Sequence, residues 1–133
     1  MDVSTLVAAL IGAVGGAIAT GIGAVQRSRT TRRTAVRLVY AELERNSAVV
    51  AFYRTMGTWP VSSTGRTAWD SYSETLARDR HTAMFQTVSQ GYAALENFAY
   101  IARDKTLSAQ DTAVLVEENV VLLSEALSAA SAR

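Results

Sequence analysis

The chain has 133 residues, a formal net charge of +1 from 13 Lys and Arg against 12 Asp and Glu, 49% apolar side chains and no cysteine. That length carries one modest core rather than two, and near-neutrality provides no global field for nucleic acid. The absence of cysteine excludes a disulfide framework, a thiolate nucleophile and a Cys-based zinc site.

Charge is unevenly placed, beginning with a run that has none. From Val3 to Val25 no residue is charged over 23 positions, and as a helix such a run spans ~34 Å, enough for a hydrocarbon core of about 30 Å. The pattern predicts a transmembrane anchor over residues 1–26. A cleaved secretory signal and a soluble buried helix are the competing readings. A signal, however, needs a basic leading end and a shorter apolar core, and only Met1 and Asp2 precede this run. Projected at 100° per residue, Val3, Leu6, Val7, Leu10, Ile11, Val14, Ile18, Ile22 and Val25 gather on one half of the helix. Ala8, Gly12, Gly16, Thr20 and Ala24 run along the other half at intervals of four. In lipid, helices attract through close backbone approach, which small side chains permit, so this row is a predicted helix-packing face. A homo-oligomer or a membrane-protein partner is expected to meet it. The same glycines do not make a dinucleotide loop, because no strand precedes them and no ribose-binding acid follows.

Arg27, Arg29, Arg32, Arg33 and Arg37 come next, with no acid among them. Basic residues concentrate on the cytoplasmic side of a span, so the inner (cytoplasmic) membrane is the expected location, with the N-terminus outside and the C-terminal domain cytoplasmic. The five arginines are assigned to topology or to lipid headgroups. A nucleic-acid partner is not expected, since no aromatic side chains interleave with them.

Past the arginines the chain reads as helices. Ala35, Val36, Val39, Tyr40, Leu43, Val50 and Tyr53 fall on one side of a helix from about Thr31 to Met56, continuous with the anchor or separate from it. Asn46 projects into the middle of that apolar side. A polar residue there either fixes register or partner number, or bonds to a loop backbone. Gly57 ends the helix, and GTWPVSSTG supplies turn residues around Pro60. Thr67 and Asp70 have the spacing of a capping box for a short helix with Trp69, Tyr72 or Ser73, and Leu76 on one side. A third helix, about His81 to Arg103, carries Met84, Phe85, Val88, Tyr92, Leu95, Phe98, Ala99 and Ala102 on one face. Ser108, with Asp111 three residues on, caps a fourth from about Ala109 to Ala129. There Leu115, Val116, Val120, Leu123 and Leu127 form one broad face while Val114 and Val121 lie toward the acids. The apolar surface thus exceeds one core-facing stripe, leaving either a second subunit or three surrounding helices to cover it.

Individual residues offer little chemistry. His81 is the sole histidine and suits a surface or capping role. No serine lies in a G-x-S-x-G elbow. Glu42 with Glu44, and Glu117 with Glu118, are too close in sequence to face one another on a helix, so they read as solvated acids. Trp59 and Trp69 read as packing residues. No catalytic, cofactor-binding or metal-ligating set is identified, nor any small-molecule substrate.

Twelve arginines against the single Lys105 match the usage of a GC-rich bacterial genome. The segments YAELERN and TAWDSY, through Glu42, Leu43, Asn46, Trp69 and Asp70, resemble uncharacterised bacterial single-pass membrane proteins with an N-terminal anchor and a helical cytoplasmic domain. The resemblance implies membrane placement and brings no activity with it. The expected fold is all-α: a transmembrane helix, residues 1–26, followed by a small antiparallel helical bundle, residues 27–133. The expected function is a non-enzymatic, membrane-anchored interaction or assembly module. The alternative is a small membrane-disrupting, holin-like effector that oligomerises through the glycine-rich anchor.

Overall fold

The computed structural model describes residues 3–60, 64–78 and 82–132, with side chains from Ala24 onward except that of Thr82. Four helices make up the described residues, with no strand among them: α1 (Val3–Met56), α2 (Thr67–Ala77), α3 (Thr82–Arg103) and α4 (Ala109–Ser131). All-α architecture is therefore what the apolar spacing specified. The chain divides into two compact units, residues 1–34 and 35–133.

The first unit is the leading part of α1. Its backbone is helical from Val3, while the side chains of residues 1–23, and so all of the large-residue face but Val25 and all of the small row but Ala24, lie outside the described residues. No helix among the described residues is long and apolar enough to cross a membrane. Its described side chains, residues 24–34, are exposed except that of Arg32, which is partly buried. Thr30 and Thr31 donate their hydroxyls to the carbonyls of Gln26 and Arg27 one turn back, at 3.0 and 2.9 Å, the back-bonding that satisfies a β-branched hydroxyl within a helix.

The second unit holds the core. Val39, Leu43, Val50 and Tyr53 of α1, Trp69 and Leu76 of α2, Val88, Tyr92, Leu95 and Phe98 of α3, and Val116 and Leu123 of α4 are all buried. α3 and α4 run antiparallel: Gly91 lies against Ala126 and Asn97 against Asn119. A Cβ built on Gly91 would stand 2.3 Å from the Ala126 Cβ. Only glycine on α3, opposite alanine on α4, lets these backbones approach so closely.

Helix boundaries follow local chemistry with one exception. Gly57 takes a left-handed φ of +68° and donates its N–H to the Tyr53 carbonyl at 2.8 Å. This is the single bond of an αL stop, closing α1 where the sequence placed its end. Ser108 caps α4, accepting from the Asp111 N–H at 3.0 Å and donating its hydroxyl to the Asp111 carboxylate at 2.6 Å. In the preceding turn Asp104 accepts from the N–H and hydroxyl of Thr106. Those bonds hold its carboxyl below the usual range, the side-chain bond more than the backbone one. The exception is α2. Thr67 is its first helical residue rather than its cap, Arg66 holds the cap position without a side-chain capping bond to a backbone N–H, and its guanidinium donates instead to the Asp70 carboxylate at 2.9 Å. The capping box expected at Thr67 and Asp70 does not form, because a carboxylate from α1 occupies the place it would have filled.

Candidate functional site

That carboxylate is Glu42. Its Oε2 accepts the Ala68 N–H at 2.8 Å and its Oε1 the Trp69 N–H at 3.1 Å, the second and third residues of α2. These are the two donors that an ordinary N-cap side chain would satisfy. The charge also stands at the positive end of the α2 dipole. Oε1 accepts a further bond from the Tyr92 hydroxyl on α3 at 2.7 Å. One side chain thus ties three helices together. Glu42 is only 5% exposed, so reading it as a solvated acid is corrected: its position between Val39, Leu43 and Asn46 carries it inward, and three donors compensate its burial.

One turn on, Asn46 is 1% exposed. Its amide nitrogen donates to the Gly65 carbonyl at 2.6 Å and its amide oxygen accepts the Gly65 N–H at 3.0 Å. Of the two uses open to this residue, the structure contains the bond to a loop backbone. Both amide functions are engaged within the chain. The Arg45 guanidinium lies beside Gly65, where a Cβ would meet it at 2.7 Å. Arg66 then bridges Asp70 and Glu96 across the mouth of the network.

Aromatic rings close the network on its apolar side. Trp69 stacks on Tyr92 and on Phe85, with centroids 4.9 and 5.4 Å apart. Trp59 stands edge-on to Tyr53 at 5.4 Å and stacks on Phe98 at 6.3 Å. Both tryptophans are packing residues, as expected. Burial pushes the Tyr92 hydroxyl well above the usual range, and the bond to Glu42 and its negative charge push it further, against a smaller opposite pull from Arg66. Tyr92 is therefore a firm donor at neutral pH. The buried polar groups of this centre, on Glu42, Asn46 and Tyr92, bond to other parts of the fold, so what it does chemically is to lock α2 and its leading loop onto α1 and α3.

The remaining candidates are not brought together with it. Ala8, Gly12, Gly16 and Thr20 of the packing row lie outside the described side chains, and Ala24 is exposed. Arg27, Arg29, Arg33 and Arg37 are exposed and Arg32 is partly buried. His81 is outside the described residues. Glu117 pairs with Arg54 across an open groove of about 570 Å³ where the end of α1 meets the start of α4, lined also by Thr55, Gly57, Thr112 and Val116. Among the described residues no three His, Cys, Asp or Glu side chains converge as metal ligands.

Sequence reasoning missed Gly91, Asn119 and the role of Glu42. Asn119 is buried on α4, accepts from the Asn97 amide at 3.1 Å and donates to the Leu115 carbonyl at 2.8 Å. Each carried a signal: a glycine inside an otherwise strong helical pattern, and polar residues at core-facing helical positions. Comparison of the chain with protein families, with curated proteins and with solved structures finds no match.

Proposed function

We propose that this chain is a non-enzymatic, membrane-anchored assembly module whose first 26 residues span the inner membrane, N-terminus outside, and whose helical unit lies in the cytoplasm. The observation that carries it is the charge-free run of 23 residues abutting five arginines. Supporting it is the economy of the second unit: its buried acid, amides and phenol, Glu42, Asn46, Asn119 and Tyr92, are engaged in bracing helices. The row Ala8, Gly12, Gly16, Thr20 and Ala24 is the surface through which copies pack.

Two measurements test this function. A reporter fused after Arg133 behaves as cytoplasmic, and efficient activity of a periplasm-only reporter there overturns the topology. Gly16→Leu puts a bulky side chain at the middle of the small row and weakens the oligomer in detergent, while Ile18→Leu on the opposite face leaves the subunit mass unchanged. If Gly16→Leu inserts normally and keeps the parental mass, the glycine face is not the assembly surface.

A further inference from the structure

Among the described residues some arginines face a carboxylate and others, Arg45 and Arg103 among them, are exposed and form no ion pair. Arg54, Arg66 and Arg78 each face a carboxylate, on Glu117, on Asp70 and Glu96, and on Glu74 respectively. Arg27, Arg29, Arg33 and Arg37 are exposed, and among the described residues none of the four is in an ion pair. On a helix the charge partners of a residue lie three and four positions away, and none of those positions holds an acid for any of the four. Three of them instead repeat at intervals of four, Arg29, Arg33 and Arg37, a like-charge ladder that opposes the helix carrying it. The first acid beyond the ladder is Glu42, already saturated by Ala68, Trp69 and Tyr92. Among the described residues no carboxylate of the chain offsets the ladder.

We infer that Arg27, Arg29, Arg33 and Arg37 form a collar that binds the phosphodiester headgroups of anionic lipids, so that the protein gathers acidic lipid around its anchor. The inference rests on the anchor proposed above. Guanidinium matches a phosphate with two parallel N–H donors, which an ammonium does not. From Arg27 to Arg33 the helix rises ~9 Å, comparable to a headgroup layer of about 5–8 Å. Free phosphate offers the same chemistry, but only the membrane surface presents many such anions together beside an anchored helix.

Full-length protein in phosphatidylcholine vesicles, doped with spin-labelled phosphatidylglycerol or spin-labelled phosphatidylcholine, reads this directly as the motionally restricted fraction of each probe. Restriction of the phosphatidylcholine probe reports the anchor. The phosphatidylglycerol probe is expected to be preferred about fivefold or more, the size set by one arginine near an anionic surface, and the preference should shrink in 1 M NaCl. Changing all four arginines to Gln should equalise the probes while leaving the phosphatidylcholine signal intact. Inorganic phosphate at 10 mM should leave the preference standing. Equal restriction of both probes by the parental protein, a preference that survives the four Gln changes, or its loss to phosphate overturns the collar. Absence of any restricted probe overturns the anchor and the collar with it. A DNA duplex that binds the parental vesicles and erases the preference overturns lipid as the partner.

Discussion

Replacing Glu42 by Gln removes one charge and turns one of its two oxygens into a donor, with almost no change of volume. In one orientation the new NH2 faces the Ala68 N–H, which then has no acceptor; in the other it faces the Trp69 N–H, and the Tyr92 hydroxyl must turn to accept. Either way one N-terminal donor of α2 is orphaned in a part-buried or buried place, at about 1–3 kcal/mol, and the favourable charge at the helix end is lost, at roughly 0.3–1 kcal/mol. A loss of about 2 kcal/mol in a unit of this size lowers Tm by roughly 8–16 °C. The assay is thermal unfolding of the full chain in detergent, followed by the fluorescence of Trp69 in a Trp59→Phe background, since Trp69 stacks within the network. Tyr92→Phe, which leaves both backbone donors in place, should cost only about 1 kcal/mol. Amide exchange at Ala68 and Trp69 should rise in Glu42→Gln and stay near parental in Tyr92→Phe. If Glu42→Gln melts within 2 °C of the parent and leaves those two amides protected, Glu42 does not cap α2.

The other perturbations are smaller in scope. Because the folded state holds the Tyr92 proton more tightly than the unfolded chain does, the associated stability is fully present below about pH 10 and is lost as pH rises beyond it. Denaturation midpoints between pH 8 and 11 should fall more steeply in the parent than in Tyr92→Phe. Gly91→Ala drives a methyl group into the Ala126 Cβ and should cost about 1–3 kcal/mol; Ala126→Gly in the same chain should recover much of it, as unfolding curves of the single and double variants would record. Asn46→Leu leaves the Gly65 N–H and carbonyl without their partner. It should destabilise by roughly 1–3 kcal/mol and speed proteolysis of the loop between α1 and α2, whereas a gain in stability would mean that the amide pair contributes nothing net.

The end of α1 and the start of α4 were legible in the sequence because each depends on neighbours a few residues away. Gly57 stops α1 through a bond to Tyr53, and Ser108 starts α4 through a bond to Asp111. The start of α2 was not, since its cap comes from Glu42, 26 residues earlier. Thr67 and Asp70 had the right spacing for a local box, but Arg66 took the cap position and drew Asp70 into an ion pair. A tertiary carboxylate that reaches two backbone donors at once outcompetes a hydroxyl that reaches one.

The misreading of Glu42 has a specific physical origin. Paired with Glu44, it looked like one of two acids on a wet face; paired with Asn46, at i and i+4, it belongs to a polar couple on the apolar arc of Val39, Leu43 and Val50. Two polar residues on a buried arc are stable only if the opposing segment brings backbone groups to them. The TGRTAW stretch does this, offering Gly65 to Asn46, and Ala68 and Trp69 to Glu42. Its small Gly65 leaves room for Arg45 as well. Polar pairing thus fixes where α2 lies along α1, which apolar contacts alone would leave free to slide, and Trp69 between Phe85 and Tyr92 fixes it against α3. The same logic separates the two kinds of surface on α4. Asn119 and Ala126 face α3, Asn119 through the Asn97 amide and Ala126 at the close approach to Gly91. Val114 and Val121, larger and more apolar, remain 52% and 55% exposed. Val116 and Leu123 share the buried arc with Asn119, Ala126 and Ala130 at helical spacing, so burial on this helix follows position on the arc rather than hydrophobicity alone, and an apolar count along α4 overstates its core.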